Sequence, residues 1–125
     1  MTLLKPVLRP GASHRLTVEP TDGHVTVRLG GRVVAQSDRA LTLREASYPA
    51  VQYLPLEDVD ADALRPSRRT SYCPFKGDAS YFDVVAGEDV AHAAVWTYRE
   101  PHEAVAAIRG HAAFYPDRVD AIEVA

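Results

Sequence analysis

The chain has 125 residues, 14 basic and 17 acidic, for a formal net charge of −3. That length fits one domain and not two ordinary ones, and the slight acidity provides no global positive field for a nucleic-acid backbone. A single cysteine excludes an intramolecular disulfide framework and a multi-cysteine zinc cage, and no apolar run nears the roughly 20 residues of a membrane helix. The segment from Met1 to Gly11 has only Leu3-Leu4 as an apolar pair, so no signal-peptide apolar region is expected. A cytoplasmic location is the resulting expectation.

Residues 1–13, with Pro6, Pro10 and Gly11, read as an irregular N-terminal arm ahead of one domain at 14–125. Leu16 and Val18 alternate with polar neighbours, the period-two signal of a strand. Val25, Val27 and Leu29 do the same before Gly30-Gly31, and Val33-Val34-Ala35 follow. Two short runs joined by Gly-Gly predict a hairpin, because both central positions of a type I′ turn need positive φ. Further strands are expected over Ala40 to Glu45, with Leu41 and Leu43 on one face, and over Val51 to Leu54.

Glu57 to Leu64 is acid-rich and predicts one or two helical turns that end before Pro66. Arg65 to Lys76 reads as a loop or an irregular strand. Ala79 to Val85 and Val90 to Tyr98 predict a second hairpin turning at Gly87-Glu88-Asp89. Pro101 to Arg109 carries the clearest helix signals. Pro101 suits the first turn, Glu103 complements the N-terminal dipole, and Gly110 can cap the C-terminus. Ala112 to Tyr115 and Val119 to Val124 read as two last strands. The sum is a mainly β domain of about eight short strands with two short helical pieces, arranged as a rolled sheet, partial barrel or sandwich.

An ordered set of residues then carries a resemblance. Gly31 to Ala40 (Gly-Arg-Val-Val-Ala-Gln-Ser-Asp-Arg-Ala), Glu45, Tyr53-Leu-Pro, Asp58-Val59 and Cys73-Pro-Phe-Lys-Gly77 are similar to the domain-of-unknown-function 427 family. Tyr81, Val95-Trp-Thr-Tyr98, Pro101 and Ala113-Phe-Tyr115 extend the match, which spans roughly residues 24–119. The resemblance implies a small, mainly β domain. The family also carries a nucleotidyltransferase-type label, which implies a nucleotidyltransferase-like enzyme as one functional reading.

The residues themselves test that label. Nucleotidyl transfer calls for two or three carboxylates around a divalent metal and a Gly-rich turn or helix N-terminus for the phosphates. The nearest pattern is Asp58-Val59-Asp60-Ala61-Asp62. It lacks the later Gly and Glu of a calcium loop, and no Gly-Ser motif precedes it, so no metal site and no cofactor are expected.

Arg65, Arg68, Arg69 and Lys76 form an acid-free basic segment with the hydroxyls of Ser67, Thr70 and Ser71. Arginine forks match phosphate or carboxylate oxygens, although the same side chains can pair with Glu57 to Asp62. Tyr72 and Phe75 interleave with this segment as stacking residues would on single-stranded nucleic acid, but the short patch and overall acidity disfavour nucleic acid.

Cys73 is either a small core residue or a nucleophile activated by nearby charge. None of the five histidines stands as its obvious partner. Pro74 and Gly77 bracket Phe75-Lys76 and set the direction of Lys76, toward an anion or toward Glu45 or Asp83. Trp96 and Tyr98 share a strand face with Ala94 and His92, and Tyr53, Tyr81 and Tyr115 can join them as a pocket or as an aromatic core.

The leading reading is an anionic small molecule bound in a pocket near Lys76. Its walls are Glu45, Tyr53, Cys73, Lys76, Trp96 and Tyr98, and Arg39 or Arg68 meets the charge. Glu45, Cys73 and Lys76 are the catalytic candidates, with Glu45 as acid–base. Arg39, Tyr53, Arg68, Lys76, Trp96 and Tyr98 are the ligand-binding candidates. A non-catalytic protein-interaction module, docking through a strand edge or the basic segment, is the alternative. Neither a membrane partner nor a particular oligomeric state is implied.

Overall fold

The computed structural model describes residues 5–125, so Met1 to Leu4 of the arm lie outside the described residues. Ten strands follow one another: β1 (Leu16–Pro20), β2 (Val25–Leu29), β3 (Arg32–Ser37), β4 (Leu41–Glu45), β5 (Val51–Pro55), β6 (Leu64–Cys73), β7 (Gly77–Ala86), β8 (Asp89–Tyr98), β9 (His111–Phe114) and β10 (Ala121–Val124). They form two antiparallel sheets that do not close into a barrel. One sheet has seven strands in the order β1-β4-β5-β9-β8-β7-β6, and the other has three in the order β10-β2-β3.

Local sequence explains most of the strand turns. Gly30 and Gly31 take φ of 59° and 74°, the left-handed pair that the β2–β3 hairpin needs. The basic segment adopts the strand alternative as β6, an edge strand against β7. Its ladder is irregular between Pro66 and Thr70, because proline has no N–H to give and sits where an edge tolerates the gap.

The short helical pieces are all 3-10 turns. The one or two turns expected over Glu57 to Leu64 are present as Leu56–Asp58 and Ala61–Ala63. Pro101 to Arg109 is no α-helix: it is a 3-10 segment, Glu103–Ile108, interrupted at Val105 with φ −124° and ψ 27°. Six residues are too few to repay helix nucleation, so packing decides the local form. Positions i and i+3 eclipse in a 3-10 turn, and Val105 and Ile108 accordingly both point inward, at 1% and 0% exposure.

Strand alternation divides the core between the two faces of the seven-stranded sheet. Leu54, Phe82, Val84, Val95, Ala112 and Phe114 face the three-stranded sheet and meet Val25, Val27, Leu29, Val34 and Ala35. Their neighbours one position away, Tyr53, Tyr81, Trp96 and Ala113, point to the opposite face and pack with Leu43, Tyr98, Val105 and Ile108. Buried polar groups are paired: Ser37 Oγ donates to Asp58 Oδ2 at 2.6 Å, and Thr97 Oγ1 donates to the His111 carbonyl at 2.7 Å. The first face is the ordinary sandwich core. The second carries the aromatic and charged residues that the sequence singles out.

Candidate functional site

Antiparallel register assembles the second face. Tyr81 lies opposite Trp96, Ala79 opposite Tyr98, and Trp96 opposite Ala113. On the other side of β9, Leu41 pairs with Tyr53 and Leu43 with Val51. Four strands, β4, β5, β7 and β8, thus bring Leu43, Glu45, Tyr53, Trp96, Tyr98 and Tyr81 around one concavity of about 190 Å3, which Lys76 and Tyr115 complete.

Lys76 reaches this cavity from the turn between β6 and β7. Its N–H donates to the Cys73 carbonyl at 3.2 Å, and its own carbonyl accepts from His102 N–H at 2.9 Å. Gly77 closes the turn at φ +113°, and a Cβ there would stand 3.3 Å from the Glu100 carbonyl. Gly77→Ala should therefore cost about 1–3 kcal/mol of stability. Denaturant unfolding measures this, and an unchanged midpoint would remove the steric role given to Gly77.

The Lys76 ammonium donates to Glu45 Oε1, and His14 Nε2 lies 2.8 Å from Glu45 Oε2. The side chains of Lys76 and Glu45 are only 11% and 15% exposed. His14 is fixed in turn by stacking on Phe75, at 3.9 Å between centroids and 8° between planes. Burial alone would raise the Glu45 carboxyl, but the hydrogen bonds from Lys76 and His14 outweigh it and hold the group below its ordinary value. Glu45 is therefore ionised at neutral pH with both oxygens engaged.

Hydroxyls line the rest of the cavity. Trp96 Nε1 donates to Tyr53 Oη at 3.0 Å, which fixes the indole plane. Burial pushes the Tyr53 and Tyr98 phenols far above their ordinary value, so both stay neutral. Ser71 Oγ and Tyr81 Oη lie 2.8 Å apart, and Tyr81 Oη and Tyr115 Oη 3.5 Å apart. Arg69 stacks over the Tyr81 ring at 4.8 Å, and Arg118 over the Tyr115 ring at 5.0 Å. Burial acts to raise both phenols. For Tyr81, the hydrogen bonds from Ser71 and Tyr115 and the Arg69 charge reverse that, whereas Tyr115 remains raised.

The sequence candidates separate on this map. Glu45, Tyr53, Lys76, Trp96 and Tyr98 come together. Cys73 is half-buried against the aromatic cluster behind them and does not line the cavity. Arg39 lies elsewhere, bonded to Glu57 at 2.7 Å and 3.4 Å from Asp58. Arg68 is exposed on the irregular stretch of β6. Its neighbour Arg69, of the same strand parity as Ser71, reaches the site instead. Period two in β6 was the available signal for Arg69. No sequence signal marks His14 or Arg118, which arrive from the segment just before β1 and from the turn before β10.

The Asp58 to Asp62 carboxylates do not gather. Asp58 serves Ser37 and Arg39, while Asp60 Oδ1 accepts from Asp62 N–H at 3.0 Å. Among the described residues no three His, Cys, Asp or Glu side chains are grouped as ligands for a metal ion, and no helix is long and apolar enough to cross a membrane.

No curated protein matches the chain. The family model of the domain of unknown function DUF427 matches residues 17–125, a span that includes Glu45, Lys76 and the aromatic wall but not His14. The chain belongs to the DUF427 family.

Proposed function

We propose that the chain binds an anionic small molecule in the cavity beside Lys76. The observation that carries this reading is a surplus of positive charge around a concave, hydroxyl-lined site. Lys76 lines it, and Arg69 and Arg118 stack on its Tyr81 and Tyr115 walls; against them stands the single lining carboxylate Glu45, whose two oxygens are bonded to His14 and Lys76. Among the described residues neither Arg69 nor Arg118 has a carboxylate partner. An ammonium has three donors and Glu45 uses one, so Lys76 keeps donors for an anion.

Binding is better supported than catalysis. A carboxylate with a depressed pKa is a weak base and is not protonated for acid work near neutral pH, so Glu45 acts as a charge holder that positions Lys76. A nucleotidyltransferase reading lacks its carboxylate cluster. Docking of a protein on the β6 edge is opposed by Pro66 and the exposed Arg65, Arg68 and Arg69, features that discourage strand addition.

Trp96 is the sole tryptophan, so intrinsic fluorescence reports this cavity directly. Titration with orthophosphate, pyrophosphate and acetate should give a saturable change for at least one anion. Arg69→Ala with Arg118→Ala should weaken it by about tenfold or more, as expected for charge-assisted hydrogen bonds. If none of the three anions changes the signal of the folded wild type, the reading is wrong.

A further inference from the structure

A second concavity opens directly from the first. It measures about 740 Å3 and shares Glu45, Val51, Trp96 and Tyr115 with the Lys76 cavity. Its other walls come from both sheets: Pro49 and Ala50 beside β5, Phe114 of β9, Pro116, and Ile122 and Val124 of β10. The two volumes differ in character. The cavity of about 190 Å3 is ringed by hydroxyls and charge. The larger one has the size of a ligand pocket and a mostly apolar lining.

We propose that the ligand is a planar aromatic acid, with its anionic group among Lys76, Arg69 and Arg118 and its ring along the groove over Trp96 and Tyr115. This rests on the anion-binding reading and specifies the rest of the molecule. Three features favour a flat body. The groove is lined by Trp96 and Tyr115, whose ring centroids lie 4.5 Å apart with planes tilted by 44°, and by Pro49 and Pro116. The Tyr53 hydroxyl holds the Trp96 plane before anything binds, so little ordering remains for the complex to impose. The rim also exposes apolar surface, with Tyr48 at 66% and Val124 at 49%. Such surface next to a charged site marks a place that is covered in use.

Charge fixes the orientation. Glu45 is the single carboxylate lining the cavity and its charge is already offset by Lys76, with His14 on its other oxygen, whereas Lys76, Arg69 and Arg118 keep donors beyond the Arg118 Nη1 bonds to the His92 and Ala93 carbonyls. An aromatic acid therefore fits and an aromatic amine does not.

Isothermal titration calorimetry of the full chain tests this with naphthalene-2-carboxylate, acetate, decanoate, 2-naphthylmethylammonium and orthophosphate. Naphthalene-2-carboxylate should bind at least about tenfold more tightly than acetate, decanoate or the ammonium. The exposed-rim variants Tyr48→Ser and Val124→Ser should reduce that advantage while leaving orthophosphate affinity unchanged. Orthophosphate binding with no preference for naphthalene-2-carboxylate would overturn the inference and leave the anion site standing. Tighter binding of decanoate would overturn the planar body, and equal binding of the ammonium would overturn the orientation. Absence of binding by every anion would remove both readings.

Discussion

Glu45→Ala is expected to lower stability by about 2–4 kcal/mol. The loss is larger than for an exposed ion pair because Lys76 would remain in a site where its side chain is 11% exposed, with no carboxylate to offset its desolvation. Lys76→Met should cost less, since His14 stays beside the carboxylate that is left behind. The double variant Glu45→Leu/Lys76→Met should come back to within about 1–2 kcal/mol of the wild type, because removing both charges removes the penalty of stranding one. Urea unfolding of the four proteins at neutral pH measures these differences. A Glu45→Ala variant within about 0.5 kcal/mol of wild type, the range of an ordinary surface change, would show that the pair is not a buried one.

The same carboxylate sets a pH dependence. Its folded pKa is depressed below the ordinary 4.5, so its stabilisation is fully present above that value. As pH falls through the lower folded value, protonation removes the bonds to Lys76 and His14, and stability falls with it. Wild-type stability should therefore decline between neutral pH and strong acid more steeply than that of Glu45→Ala. Parallel profiles would sink the assignment.

Ile108→Ala should cost about 3 kcal/mol, a large effect for a six-residue 3-10 segment. Ile108 and Val105 are fully buried on the aromatic face, and the segment's own hydrogen bonds are few, so those two side chains hold it down. The His102 N–H that precedes it donates to the Lys76 carbonyl at 2.9 Å. Loosening the segment should consequently speed exchange of the His102 amide as well as shift the urea midpoint. Arg109→Ala, one position on and exposed, should change stability by no more than about 0.5 kcal/mol. Equal effects at 108 and 109 would refute the anchoring role.

Much of the site is readable as parity. Leu43 and Glu45 share a strand face by period two, as do Val51 with Tyr53 and Trp96 with Tyr98, and each pair lines the cavity. Pro74 and Gly77 likewise mark a turn that aims Lys76, and of the aims considered, an anion, Glu45 or Asp83, Glu45 is the observed partner. Arg39 and Arg68 fail for a common reason. Whether an arginine reaches a site depends on which face its strand presents and on nearer acids, and Glu57 and Asp58 take Arg39. The helical piece expected at 101–109 is present but takes the 3-10 form, because capping signals describe ends, whereas six residues of α-helix need tertiary packing to exist.

What the sequence by itself determines here is local. It places the strands, through alternation of short-range side-chain burial, and the turns, through glycines that alone accept positive φ at low cost. It also determines the family, through an ordered set of residues spread along nearly the whole chain. The tertiary structure decides which faces meet. The order β5-β9-β8-β7 brings Tyr53, Trp96 and Tyr81 side by side, and the segment before β1 delivers His14 to Glu45 across 31 positions of sequence. Those contacts carry no short-range period, because they depend on strand order and register, which are set by burying the whole sheet at once.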